Sequence, residues 1–171
     1  TLGTAHILLN STNRRFSEGL ANSSGEVGRN LMDHHYEAGA YCTFEGFEDK
    51  YYFGGRPNGI YIPRFRNIGD RHPDFIRGYG FQGGSTRQGW DRGMLQKGLG
   101  PDFKESLTEP GSWTFGLGGF GETLPDPRNR ATLNKEVKDK FGLPVLHINM
   151  QYQENELAMR KDYKMTAAEI L

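Results

Sequence analysis

The sequence has little cysteine, no excess of charge of either sign and no long hydrophobic run. Its one cysteine, Cys42, excludes a disulfide within the chain. Basic and acidic residues both number 21, so no overall charge favours nucleic acid or an anionic membrane. No stretch approaches the roughly 20 apolar residues of a membrane-spanning helix. We therefore expect neither a nucleic-acid partner nor a membrane span, and cytoplasmic and periplasmic locations both stay open.

Glycine and aromatic residues are abundant. There are 24 glycines, together with eleven phenylalanines, eight tyrosines and two tryptophans. Disordered chains are poor in aromatic residues, so this composition predicts a folded core joined by long glycine-rich loops. The chain starts at Thr1 and stops at Leu171 inside a predicted helix, so we expect it to be a piece of a longer protein.

The order of predicted elements favours the α+β class. Hydrophobic periodicity and capping residues predict helices at 1–10, 101–109 and 154–171. Runs of β-branched and aromatic residues predict strands within six segments, 36–47, 59–65, 74–84, 111–122, 129–134 and 143–152. Strands do not alternate regularly with helices, which favours an antiparallel sheet with flanking helices over a doubly wound fold.

The glycine spacing at Gly116, Gly118 and Gly121 matches the dinucleotide-binding pattern G-x-G-x-x-G. That pattern needs a helix directly after the glycines, so that the helix N-terminus can hold a pyrophosphate. Pro125 and Pro127 follow instead, and both disfavour a helix there. A second match within 78–83 is followed by polar loop residues. Neither match predicts a nucleotide-binding loop.

Few other residues indicate catalytic or metal chemistry. Asp33, His34 and His35 are adjacent, and neighbouring strand residues point to opposite faces, so a shared metal is disfavoured and hydrogen-bonded turn residues are favoured. Cys42 lies in a β-like run, where cysteine is typically a small buried hydrophobe. No metal site and no catalytic residue is predicted.

The region 51–92 mixes arginines with tyrosine, phenylalanine and tryptophan. Aromatic and basic side chains together can bind single-stranded nucleic acid or stack on sugars. Asp70, Asp74 and Asp91 interrupt the positive charge, which argues against nucleic acid. A carbohydrate-facing surface and a region packed on a partner domain both stay open.

Three segments taken in order resemble the glucose–methanol–choline (GMC) oxidoreductases, which are flavoenzymes that oxidise alcohols and sugars. The segments are "TLGTAHILLNS" (1–11), "SSGEVGRNLMDHH" (23–35) and "GFGETLPDPRNRATLN…KDKFGLPVLHINMQY" (119–152). Each is weak alone, but the ordered set covers nearly all of the chain. The resemblance implies that residues 1–33 are the tail of an FAD-binding domain with its connecting segment, and that 34–171 form the substrate-binding domain.

The resemblance also implies site residues. Gln82 and Glu122 would bind substrate, since an amide and a carboxylate on a sheet face can hold sugar hydroxyls. A loop hydrogen bond for Gln82 and a surface salt bridge or turn contact for Glu122 stay open as alternatives. Thr1 and Gly3 would border the FAD adenosine. Glycines 116–121 would belong to a strand beside the flavin cavity, because strand glycine often marks the close approach of a ligand. Pro125 and Pro127 would then form a hairpin turn, from which "RATLN" returns as the next strand.

Two departures from the family limit what this chain can do. It has no strand–glycine–helix unit for FAD, and none of its five histidines lies in the family's catalytic motif. The resemblance therefore implies the substrate-domain piece of an FAD-dependent parent, which transfers hydride from a CH–OH group of a sugar or alcohol to flavin. Its other partner would be the parent's own FAD-binding domain. A stand-alone carbohydrate-binding module or an inactive truncated module is the alternative.

Overall fold

The predicted α+β class is confirmed by a computed structural model, which describes residues 2–36, 38–47, 49 and 59–171. Its helices are α1 (Leu2–Asn10), α2 (Pro101–Ser106) and α3 (Glu154–Ile170), with a 3-10 turn at Trp90–Met94. Its strands are β1 (Gly39–Phe44), β2 (Ile60–Ile62), β3 (Tyr79–Arg87), β4 (Trp113–Gly121), β5 (Arg130–Lys138) and β6 (Pro144–Asn149). No helix among the described residues has the length and apolar character to cross a bilayer.

The chain divides into two compact units. The first unit comprises residues 1–34 and 123–154, and the second comprises 35–122 and 155–171. The functional division predicted from the sequence, with an FAD-domain tail at 1–33 and a substrate domain at 34–171, stays a prediction.

The second unit is built on a four-stranded antiparallel sheet with the order β1-β4-β3-β2. One face of this sheet carries Tyr79, Phe81 and Leu117 into a core that also contains Met159 and Tyr163 of α3. All five side chains are at most 2% exposed, so burial of this apolar surface is what holds the helix on the sheet.

Two glycines of β4 make room for side chains of α3 on the sheet. A Cβ atom placed on Gly119 would lie 2.5 Å from Cδ2 of Tyr163, and one on Gly121 would lie 2.6 Å from the sulfur of Met159. Both positions alternate with open positions along the strand, so they point to the helix-covered face. On this face, glycine is required by packing within the chain.

A polar network ties the loop before β3 to α3. The Asp162 carboxylate accepts hydrogen bonds from Arg66 Nε (2.9 Å), Arg66 Nη2 (3.3 Å) and the Tyr79 hydroxyl (2.5 Å). Thr166 Oγ1 accepts a further bond from Arg66 Nη2 at 3.1 Å. Burial raises the pKa of Tyr79, and the hydrogen bond to Asp162 raises it further. The hydroxyl therefore stays protonated and donates to the carboxylate.

The first unit packs α1 on the β5–β6 hairpin. His6 Nε2 lies 2.7 Å from the carbonyl oxygen of Pro144, and Asn10 Nδ2 donates to the same oxygen at 3.1 Å. The segment that contains Gly28 runs beside β5, where Ala131 N donates to Gly28 O at 2.8 Å. Gly28 has φ of +85°, and Asn30 has φ of +54°. The V-G-R-N sequence thus supplies the two residue types that most readily adopt left-handed backbone.

The predicted hairpin at Pro125 and Pro127 is wrong. β4 is already paired on both edges, with β1 and with β3, so no further strand can join it there. β5 pairs instead with β6 in a separate two-stranded sheet. The two prolines lie in an irregular connection, where their missing N–H groups leave no ladder hydrogen bond unmade.

Candidate functional site

The glycine-rich face of the four-stranded sheet lies opposite α3. Directly paired residues on neighbouring strands share a face. Gln82 of β3 pairs with Tyr61 of β2 on one side and with Gly118 of β4 on the other. Two residues further along β3, and so on the same face, Gly84 pairs with Gly116, which in turn pairs with Tyr41 of β1. We call this surface the open face.

Three of its residues form what we call the glycine floor: Gly84, Gly116 and Gly118. Among the described residues, an added Cβ would meet only ordinary van der Waals neighbours at these positions. The nearest atoms would be Gly59 Cα at 3.8 Å from Gly84, Tyr41 Cδ2 at 3.5 Å from Gly116, and Gln82 O at 3.7 Å from Gly118. The backbone at these three glycines does not adopt positive φ. The described residues therefore do not require glycine here, in contrast to Gly119 and Gly121.

Glycine inside a strand weakens it, because it gives up side-chain packing and costs backbone entropy. Strand glycine often marks a bulge, a tight bend, or the close approach of a ligand or another backbone, and the register of β3 with β4 has no bulge here. The glycine floor is therefore the best candidate surface for contact with a bound molecule. Both G-x-G-x-x-G matches lie largely in β3 and β4, and the residues that follow each match form no helix.

Exposed side chains border the glycine floor. The Gln82 side chain is exposed beside Gly118, and Tyr61 and Tyr41 are 66% and 68% exposed. Adjacent strands are about 4.8 Å apart, so β1 and β2 at the two edges are separated by about 14 Å. The two tyrosines were not singled out from the sequence. In "GIYIP" successive side chains alternate between the two faces of the strand, so Tyr61 points away from the face of Ile60 and Ile62. That alternation is the sequence signal that could have placed Tyr61 on the open face.

Glu122 continues the same face beyond the end of β4. Its backbone N donates to Gly78 O at 3.4 Å, which extends the β3–β4 ladder by one pair. Its carboxylate lies 3.5 Å from Arg64 Nη1 and 3.8 Å from Arg77 Nε, with the side chain 52% exposed. Glu122 is four residues from Gly118, or about 14 Å along the strand. Gln82 and Glu122 thus share a face, but they are not adjacent.

Of the two predicted cofactor residues, the structure describes Gly3 alone. Thr1 is outside the described residues. Gly3 lies on α1 in the first unit, and a Cβ placed there would have no neighbour within 4 Å. The roles of Gln82 and Glu122 in substrate binding and of Thr1 and Gly3 in FAD binding stay predictions.

The Asp-His-His cluster has a structural role. His35 is fully buried, its backbone exchanges hydrogen bonds with Gly121, and its ring centroid lies 5.4 Å from that of Tyr163. His34 is exposed, and its carbonyl oxygen accepts a bond from the Tyr152 hydroxyl at 3.0 Å. In the part of the chain that the structure describes, no three metal-ligating side chains come together. Cys42 is half-buried in β1.

Comparison with known proteins finds no matching family model. It does find two proteins that are named as dehydrogenases. The fructose dehydrogenase large subunit of Gluconobacter japonicus is 33% identical over 157 residues, which is 90% of this chain and 27% of that protein. The 2-methyl-1,2-propanediol dehydrogenase of Mycolicibacterium austroafricanum is 30% identical over 168 residues, which is 92% of this chain and 29% of that protein. The chain spans less than a third of the length of each.

Proposed function

We propose that this chain is the substrate-side part of an FAD-dependent oxidoreductase of the glucose–methanol–choline type. The whole protein would oxidise a CH–OH group of a sugar or alcohol. Two dehydrogenases align with at least 90% of the chain, and one of them is named for a sugar. In this proposal residues 1–33 are the tail of the FAD-binding domain, and 34–171 are the substrate-binding domain.

The observation that carries the proposal is the glycine floor with Gln82 beside it. Gly84, Gly116 and Gly118 leave this part of the open face without side chains, and the described neighbours do not require glycine there. A Gln82 amide at the edge of such a surface offers one acceptor and two donors to a hydroxylated ligand. A small-molecule site typically combines space for the ligand with a small number of polar groups that orient it.

Flavin bound by the parent protein would supply the redox chemistry at the substrate carbon that bears the hydroxyl. This chain's residues hold and orient that substrate. The Gln82 amide binds a hydroxyl, and the glycine floor allows the ring or carbon chain to lie close to the sheet. Glu122, held beside Arg64 and Arg77, binds a hydroxyl at the far end of a longer substrate.

The test is the absorbance spectrum of the full-length protein encoded by the same gene. We expect the two visible bands of an oxidised flavin, which fructose should bleach when it is added without oxygen. A pure, folded full-length protein without flavin would contradict the proposal. Sugar binding in that flavin-free protein would instead favour the stand-alone carbohydrate-binding module.

A further inference from the structure

The open face holds a tyrosine and an amide side by side. Tyr61 and Gln82 are direct cross-strand partners, so their Cβ atoms lie about 4.5–5.5 Å apart on one face. Both side chains are exposed. A ligand that contacts one of them is therefore within reach of the other.

Tyr41 stands at the opposite edge of the same face, beside Gly116. The two strands between the tyrosines, β3 and β4, carry the glycine floor. Tyr61 and Tyr41 therefore stand on the two edge strands of this face, and the glycine floor lies on the two strands between them. Rigid aromatic rings give a large contact surface with little loss of side-chain freedom.

We propose that Tyr61 is a specificity residue that stacks on the ring of a cyclic sugar while Gln82 binds one of its hydroxyls. A cyclic sugar has a flat, largely C–H face and a rim of hydroxyls, so it matches an aromatic ring next to an amide. An open-chain diol has hydroxyls for Gln82 but no ring face for Tyr61. This inference rests on the proposed function and narrows its substrate class to ring-closed sugars.

The experiment compares Tyr61→Ala, Tyr61→Phe and Ile60→Ala in the full-length holoprotein. Ile60 is the matched control, because it is the preceding residue of the same strand, points to the opposite face and is 46% exposed. KM and kcat are measured with fructose and with 2-methyl-1,2-propanediol, and equilibrium dialysis with labelled fructose gives binding directly. Tyr61 is 66% exposed, so thermal unfolding should be unchanged in both of its variants.

Tyr61→Ala should raise the KM and the dissociation constant for fructose about tenfold, which is the scale of one good aromatic contact. The diol's KM should change less than about twofold, and Tyr61→Phe and Ile60→Ala should behave like the native protein. Equal effects on fructose and diol, or no effect on either, would overturn the inference while leaving flavin reduction intact. If the protein holds no flavin but Tyr61→Ala still weakens fructose binding, the proposed function fails, and what stands is the contact of Tyr61 with a cyclic sugar.

Discussion

Replacing Gly119 with alanine is expected to destabilise the folded protein by about 1–3 kcal/mol, the usual cost of inserting a methyl group into a packed core. The added carbon would lie 2.5 Å from Cδ2 and 2.6 Å from Cγ of Tyr163. Tyr163 is fully buried, so relief of the overlap requires a shift of its packed ring or of α3. Chemical denaturation of the two proteins measures the difference.

Gly118→Ala is the matched control. Gly118 is the preceding residue of the same strand, but it points to the open face, where the nearest atom would be 3.7 Å away. Its stability should stay within about 0.5 kcal/mol of the native value. Equal losses of stability in Gly119→Ala and Gly118→Ala would contradict the assignment of Gly119 to the packed face and of Gly118 to the open face.

The second large effect is expected for Gly28→Ala. Gly28 has φ of +85°, which is costly for alanine, and an added Cβ would lie only 2.3 Å from the carbonyl oxygen of Ala131. That oxygen belongs to β5, so the connecting segment must separate from the strand to relieve the clash. We expect a loss of about 2–4 kcal/mol, from left-handed strain combined with a backbone overlap.

Gly25→Ala separates these two contributions. Gly25 also has positive φ, +72°, but an added Cβ there has no neighbour within 4 Å. Gly25→Ala should therefore lose only the roughly 1–2 kcal/mol of stability that the left-handed backbone conformation costs alanine. Thermal or denaturant unfolding measures the stability of both variants. If Gly25→Ala loses as much stability as Gly28→Ala, the overlap with Ala131 does not contribute to the loss.

Much of the fold follows from local sequence pattern. The helices near both ends and all six strands of the described residues were predicted, because apolar periodicity records which residues face a core. The limits of elements were less accurate. β3 continues to Arg87 beyond the predicted end, because its last residues pair with the start of β4, and Thr114 Oγ1 donates to Thr86 O at 3.0 Å. Such long-range pairing leaves no trace in the local sequence.

The two faces of β4 show what sequence pattern could not decide. "GLGGFG" places glycines on both faces of the strand, and nothing in those letters tells which face a helix will cover. Only the packing of Tyr163 and Met159 assigns Gly119 and Gly121 to the core and leaves Gly116 and Gly118 open. The hairpin at the two prolines was wrong for a related reason, since the pairing of β4 with β1 depends on residues far apart in the chain.

Under the proposed function, the open face is the substrate side of a sugar-oxidising flavoprotein. The most direct measurement is kcat/KM for fructose in full-length Gly118→Val, recorded with flavin content and unfolding midpoint. Valine favours strands, and its Cβ would lie 3.7 Å from the nearest atom, Gln82 O, so we expect a stable, flavin-loaded protein whose kcat/KM is lower by about tenfold or more. A stable, flavin-loaded variant that oxidises fructose as fast as the native protein would contradict the claim.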